Sequence, residues 1–200
     1  MRKFFLFLFL SLSCLYAKTG FTTNNQKISI NGKDVGFITM LNPIEIINDK
    51  NEALVTGYMK ETYQEKIVKS PILNEEYVSF VLDGDKVSFD GETNPYVKIL
   101  DKTEDEYGEI WLKCELKFNV DQNNTTKDPT MLYNQAKNLY EQTCSACHTL
   151  HEPTEYTVNQ WPFQVDSMIS SGFVGLDEME KNSVIKYLQH NAKDSNSSDF

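Results

Sequence analysis

Residues 142–151 read QTCSACHTLH, and the two cysteines and the histidine in this stretch decide how the C-terminal third of the chain folds. Cys144 and Cys147 are three residues apart, so both thiols project from the same side of a helical turn. His148 follows directly and faces the same space. This Cys-x-x-Cys-His spacing is typical of covalent attachment of a c-type haem, with both sulfurs bonded to the porphyrin and the imidazole bound to iron.

Three predicted helices surround this stretch. The first starts at Asp128 and Pro129, since proline is tolerated in a first turn, and runs into the Cys pair. The second covers about 160–170, and the third starts at Asp177 and ends near Ala192. Their apolar faces follow helical spacing and consist of Leu132, Ala136, Leu139, Tyr140, Trp161, Val165, Met168, Val184, Ile185 and Leu188.

The sequence gives less support to two other roles for the cysteine pair, a zinc site and a redox dithiol. A zinc site could use Cys144, Cys147 and His151, but a second ligand pair is missing, since His190 is the one histidine further along the chain. A thioredoxin-like dithiol would require a βαβ setting, whereas these flanks are helical. A helical region this small rarely buries enough apolar surface to be stable without a metal or another stabilising group. One haem would supply the missing core.

The second axial ligand of the iron is predicted to be Met168. It lies 20 residues after His148, enough chain to present a thioether from the opposite face of the ring. His190 and Met179 are alternatives, and His151 is too close to His148 to reach across. Trp161, on the face of Met168, is expected to pack as a core residue, with donation to a haem propionate as the alternative.

Residues 26–120 show the alternation of antiparallel strands. KISINGKDVGFITM predicts two strands around Asn31-Gly32, and PIEIINDKNEALVTGYM and YVSFVLDGDKVSF predict two more pairs. The run from Ile110 to Val120 alternates most clearly and places Cys114 on the buried face, as a small core residue. No Ser/His/acid set and no phosphate-binding glycine loop occurs in this half.

The segment GKDVGFITMLNPIEII is similar to bacterial SH3-like domains. The expected fold is therefore β + α in two domains: a small SH3-like antiparallel barrel (26–120), followed by an all-α class I-like cytochrome c domain (129–193). The polar, aperiodic segment 121–128 is interpreted as a linker, and 194–200 as a polar tail.

The first 17 residues have the layout of a secretory signal peptide, with Arg2 and Lys3 before an apolar run that is too short to span a bilayer. Their removal changes the formal net charge from −10 to −12. We expect an exported, periplasmic protein with no transmembrane span in the mature chain; lipidation at Cys14 is the alternative. Such acidity disfavours nucleic acid and anionic membranes and favours a partner with a basic patch; a charge that serves solubility alone is the alternative.

LYEQTCSACHTLHEPTEYTVNQWPFQVDSMI followed by LDEMEKNSVIKYLQHNAKD resembles the C-terminal monohaem domain of the cytochrome c subunits that serve periplasmic trimethylamine-N-oxide and related S/N-oxide reductases. The preceding β region resembles their non-haem part. The resemblance implies one covalent haem c on Cys144, Cys147 and His148, with Met168 as the second ligand. It also implies electron transfer to a molybdenum-containing reductase in anaerobic respiration, without catalysis by the chain itself.

Longer members of that family carry a membrane-anchored multihaem domain that oxidises quinol, whereas this chain has a single Cys-x-x-Cys-His. Its electron donor is therefore expected to be a separate cytochrome or quinol-oxidising complex. A haem-based redox or gas sensor is the rival function. A haem peroxidase is disfavoured, since no distal His and Arg pair is apparent.

DQNNT (121–125) and DSNSS (194–198) resemble the acidic-extended Asn-x-Ser/Thr acceptor of bacterial oligosaccharyltransferases. They make Asn123 and Asn196 candidate glycosylation sites, because both lie in segments expected to be accessible. Chance occurrence in polar segments is the alternative.

Overall fold

The computed structural model describes residues 18–47, 51–82, 85–86, 89, 92–146 and 149–195. A curled antiparallel sheet comes first and three helices follow. The strands are β1 Lys18–Thr22, β2 Gln26–Ile30, β3 Lys33–Ile38, β4 Pro43–Ile46, β5 Glu52–Lys60, β6 Lys66–Val68, β7 Glu76–Leu82, β8 Asp85–Lys86, β9 Val97–Glu104, β10 Ile110–Asn119 and β11 Thr125–Thr126. The helices are α1 Thr130–Cys144, α2 Trp161–Ser170 and α3 Glu178–His190, with 3-10 turns at Gln122–Asn124 and Pro153–Glu155.

The two long strands β5 and β10 form the centre of the sheet. They pair antiparallel along their whole length, from Trp111 opposite Lys60 to Asn119 opposite Glu52, and β9 pairs with the other edge of β10. Apart from β8, β9 and β10, the hydrogen-bonded neighbours in the sheet follow the order β11-β1-β4-β5-β6-β7-β3-β2. From Leu112 to Phe118 alternate residues of β10 are buried, with Cys114 fully buried, as the sequence predicts; Trp111, on the opposite face, is buried as well, at 4% exposure.

The hairpin between β2 and β3 turns at Asn31 and Gly32, whose φ values are 52° and 78°. Two successive positive φ angles match the twist of a tight hairpin, and Asn-Gly is the sequence that adopts them most easily. The predicted turn is therefore confirmed. The tips at 48–50 and 83–84, predicted as the other two turns, lie outside the described residues.

The segment 121–128 is a correction to the sequence analysis. It does not form a free linker, because Thr125 and Thr126 pair with Thr22 and Phe21 of β1. The Asn124 carbonyl accepts from the Thr23 amide at 3.0 Å and from Gln26 Nε2 at 2.9 Å. Asn123 thus lies in a short turn bound to the sheet. β1 and β11 also place sheet residues outside 26–120, the range predicted for the β domain. Asn196 lies outside the described residues.

The helices agree with the predicted boundaries to within about two residues. Pro162 is in the first turn of α2, and α3 starts with a capping box in which Asp177 accepts from the Glu180 amide at 2.8 Å. Of the predicted apolar faces, one buried cluster contains Tyr140, Trp161, Val165, Val184 and Leu188, and Leu139 and Ile185 pack against it. No helix within the described ranges is long and apolar enough to cross a membrane.

The sheet and the helices are joined by a buried lysine. Lys186 of α3 is 4% exposed and donates from Nζ to Asn42 Oδ1 at 2.7 Å, Glu75 Oε1 at 2.9 Å and the Glu76 carbonyl at 2.7 Å. Its ammonium also lies 5.1 Å from the centre of the Tyr77 ring. Burial lowers the pKa of Lys186, and the Glu75 carboxylate opposes that shift. The contact fixes α3 against the start of β7.

Candidate functional site

A small cavity lies between the C-terminal end of α1, one face of α2 and the connection from α2 to α3. Its volume is about 50 Å³. The lining is mostly apolar and aromatic and consists of Tyr140, Cys144, His151, Trp161, Gln164, Val165, Met168, Val174 and Leu176. We call this space the α1–α2 cavity. It contains two of the side chains that the sequence analysis selected, Cys144 and Met168.

Cys144 is the last residue of α1 and is half-buried. It lies one helical turn after Tyr140, so both side chains face the cavity. Burial raises the pKa of the Cys144 thiol. Cys147 and His148 lie outside the described residues, and their predicted roles therefore stay predictions.

Met168 enters the cavity from α2, on the stripe that also contains Trp161 and Val165. Trp161 and Val165 are buried, whereas Met168 is partly exposed at the cavity wall. The spacing i, i+4, i+7 places all three on one helical face. The cavity therefore has a thiol on one wall and a thioether on another, both of which are soft ligands or nucleophiles suited to haem chemistry.

Trp161 is 3% exposed, and its Nε1 donates to the Pro153 carbonyl at 2.9 Å. Its ring meets Tyr156 edge-on at 4.9 Å and Tyr140 at 6.3 Å between centroids. These contacts favour the packing role expected for this tryptophan. The hydrogen bond to Pro153 holds the chain that returns from the Cys pair against α2.

Tyr140 is a residue that the sequence analysis placed on an apolar stripe without a further role. Its hydroxyl donates to the His151 carbonyl at 2.7 Å, so it anchors the segment that follows the Cys-x-x-Cys-His motif. Burial raises its pKa above the usual tyrosine range. The hydroxyl therefore keeps its proton for this hydrogen bond at any physiological pH.

His151 lines the cavity, and its Nδ1 lies 2.7 Å from Glu155 Oε2. The hydrogen bond with His151 is the main cause of a lowered pKa at Glu155. This pair orients the imidazole at the rim of the cavity. Sequence reasoning considered His151 for zinc or iron and missed this carboxylate partner, although their i, i+4 spacing was visible.

The two alternatives to Met168 lie elsewhere among the described residues. His190 stacks on Tyr133 with 4.3 Å between ring centroids and lines a separate cavity of about 390 Å³ between helices and sheet. Burial lowers the pKa of His190. Met179 is 50% exposed at the start of α3 and does not line the α1–α2 cavity. These positions support Met168 over both alternatives.

The α1–α2 cavity fits a haem in chemistry more than in size. Its apolar walls, thiol and thioether match the donor set of a c-type site. Its volume of about 50 Å³ is below the roughly 300–1,000 Å³ of cofactor pockets, so the walls have to separate to admit a porphyrin. Val174 and Leu176 line it from residues 171–177, a connection without regular structure in which Gly172 has a φ of 74°.

Known proteins with similar sequences are cytochromes. The chain is 32% identical over 108 residues to "Cytochrome c-type protein TorC" of Escherichia coli O157:H7 and of Escherichia coli strain K12. It is 34% identical over 84 residues to "Cytochrome c-type protein TorY" of Haemophilus influenzae. These matches confirm the predicted resemblance to this group of cytochrome c-type proteins. No family model and no solved structure matches the chain.

The extent of these matches is limited. They cover 54% of this chain for TorC and 42% for TorY. The chain spans about a quarter of the length of these relatives, 27% of TorC and 22% of TorY. The similarity is therefore to a part of each relative.

Proposed function

We propose that this chain is a periplasmic monohaem c-type cytochrome that transfers electrons to a molybdenum-containing N-oxide or S-oxide reductase. The observation that carries the proposal is the shared cavity of Cys144 and Met168, next to a complete Cys-x-x-Cys-His motif. The named relatives are cytochrome c-type proteins, which supports the same cofactor. In this proposal the chain carries electrons and does not catalyse a reaction itself.

Four side chains would hold the haem. Cys144 and Cys147 would form the covalent bonds to the porphyrin, His148 would bind the iron from the motif side, and Met168 would bind it from α2. When bound, haem c supplies one-electron redox chemistry at a potential that a thioether ligand raises.

The remaining residues of the site would hold these ligands in place and exclude water. Tyr140 and Trp161 each donate to a backbone carbonyl of the segment 151–153, which fixes that segment between α1 and α2. Val165 and Leu176 form part of the apolar wall of the α1–α2 cavity. A site fixed in this way changes little when the iron changes charge, as fast outer-sphere transfer requires.

The proposal extends to the two-part architecture and its partners. The curled sheet would be the SH3-like domain, and the three helices the class I-like cytochrome domain. The electron donor would be a separate cytochrome or quinol-oxidising complex. The acidic composition, with a formal net charge of −12 without residues 1–17, suits brief docking to a basic surface of the acceptor.

Reoxidation kinetics test this function. The reduced holoprotein is mixed with a catalytic amount of a periplasmic molybdenum N-oxide reductase, and the haem absorbance is followed after addition of trimethylamine N-oxide. We expect reoxidation that requires both the reductase and the oxide, since neither alone completes the electron path. A molybdenum reductase for an unrelated oxyanion serves as the control. Equal rates with both reductases, or no reoxidation with either, would contradict the proposed acceptor.

A further inference from the structure

An acidic groove runs along the junction of the sheet and the helices. Its volume is about 660 Å³. One wall is the turn from β9 to β10, and the other is the loop 70–74 with Asn159 at the entrance to α2. The lining that matters for binding is Lys60, Ile72, Glu104, Asp105, Glu106 and Tyr107. We call it the junction groove.

The groove exposes two large side chains, one aromatic and one aliphatic. Tyr107 is 87% exposed and Ile72 is 77% exposed. Aromatic and aliphatic residues held in solvent at the edge of a groove are typical of interaction surfaces. Because one comes from the sheet and the other from the loop beside the helices, an occupant would contact both parts of the molecule.

The turn that carries Tyr107 is built rigidly. Asp105 Oδ1 accepts from the Tyr107 amide at 2.9 Å and the Glu109 amide at 3.0 Å, and Asp105 Oδ2 accepts from Trp111 Nε1 at 2.9 Å. Gly108 closes the turn at a φ of 81° and donates to the Asp105 carbonyl at 3.1 Å. A turn fixed in this way loses little conformational entropy on binding.

The opposite wall is equally fixed. Asn159 Nδ2 donates to the Ile72 carbonyl at 2.8 Å, and Asn159 Oδ1 accepts from the Asn74 amide at 2.8 Å. Leu73, between them, is buried in the same cluster as Tyr140 and Trp161 of the α1–α2 cavity. The groove therefore lies against the packing layer that forms a wall of the proposed haem site.

The charge of the groove is negative. The Lys60 ammonium is held by Glu109 at 3.0 Å and lies 5.4 Å from the Trp111 ring centre, which leaves Glu104, Asp105 and Glu106 as excess negative charge. Hydrogen bonding, chiefly from Trp111, lowers the pKa of Asp105. A segment that complements this groove would carry basic side chains next to an apolar side chain.

We infer that the junction groove is the docking surface for a basic, apolar-bearing segment of the electron-transfer partner. This inference deepens the proposed function, because it names the face on which the partner would dock. The charges steer the approach and the exposed pair Ile72 and Tyr107 supplies the contact core. Docking here would place the partner against the layer that contacts the α1–α2 cavity.

The direct test titrates isotope-labelled holoprotein with an eight-residue peptide of alternating lysine and leucine at low salt. We expect amide shift changes concentrated at residues 72–74 and 104–107, with none from a glutamate–leucine peptide. The variant E104Q/E106Q should bind about tenfold more weakly, and I72S/Y107S about fivefold. The control E45Q/E115Q, which removes two charges outside the groove, should bind like the wild type. Shifts spread over other surfaces, or equal affinity of all variants, would overturn the inference.

The same variants separate this inference from the proposed function. If the wild type is reoxidised by the N-oxide reductase, the two groove variants should lose about fivefold or more in second-order rate at low salt, and E45Q/E115Q should not. Unchanged rates in the groove variants would remove the groove from the electron path. If the wild type is not reoxidised, the proposed acceptor is wrong, and the peptide titration still decides whether the groove binds basic segments.

Discussion

Replacing Met168 with alanine is expected to remove the thioether–iron absorption in the near infrared and to lower the reduction potential of the holoprotein. The reason is the position of Met168 on the wall of the α1–α2 cavity, with Trp161 and Val165 on the same helical face. Loss of this ligand opens an iron position, so the ferrous variant should bind carbon monoxide while the wild type does not. Absorption spectra of both oxidation states and a redox titration measure the effect.

Two variants control this result. Met179 is 50% exposed outside the cavity, so Met179→Ala should keep the band and the potential. His190 stacks on Tyr133 in a different cavity, so His190→Gln should also keep them. A band that survives in Met168→Ala and disappears in either control would move the ligand to that residue.

Replacing Lys186 with alanine is expected to cost about 3–5 kcal/mol of unfolding free energy, the usual penalty for removing one partner of a buried ion pair. Lys186 is 4% exposed, and its removal leaves the Glu75 carboxylate, Asn42 Oδ1 and the Glu76 carbonyl without this donor. Glu75 is 12% exposed on its side chain, so water replaces the ammonium poorly. Urea denaturation of the holoprotein, followed by circular dichroism, measures the loss.

Lys181→Ala is the matched control on the same helix. Lys181 binds Asp166 at 3.0 Å with a partly exposed side chain, and such pairs contribute about 1 kcal/mol or less. A large loss in Lys186→Ala could also reflect poor packing of alanine. The variant Lys186→Met keeps the aliphatic volume, and we expect it to show most of the stability loss of Lys186→Ala. Equal midpoints for Lys186→Met and the wild type would show that the buried network does not hold the sheet and helices together.

Local patterns predicted much of this fold. The Asn31-Gly32 turn, the alternation of β10 and the starts of α2 and α3 each depend on residues within a few positions of one another. The resemblance to cytochromes was likewise carried by contiguous residues. Such features follow from turn geometry and periodicity, which a single sequence displays directly.

Features that depend on distant partners were not predictable in this way. Thr125 and Thr126 form a strand because β1 offers an open edge more than 100 residues earlier in the chain. Lys186 sits on a polar position of a helical pattern, and lysine is almost always exposed unless it is paired. Its burial depends on Asn42 and Glu75, which lie 144 and 111 residues away in sequence.

The candidate site shows the same division. Cys144 and Met168 were selected from spacing and reach, and the structure places both on one cavity. The hydrogen bonds of Tyr140 and Trp161 to residues 151 and 153 were not predicted, because a periodic apolar stripe does not show which acceptor a hydroxyl or an indole N–H will bind. The junction groove was not predicted for a similar reason, since its two walls are far apart in sequence.

The central claim is covalent haem attachment at Cys144 and Cys147, and peptide mapping tests it most directly. Protein from cells with working haem ligation machinery is unfolded in denaturant in the presence of a phosphine reductant, labelled with a maleimide and digested with trypsin. We expect peptide 138–181 to carry one haem and no label, while Cys114, which is buried in the folded protein with its pKa raised to about 12, is labelled in this unfolded sample and serves as the internal control. A peptide 138–181 with two maleimides and no haem would contradict it.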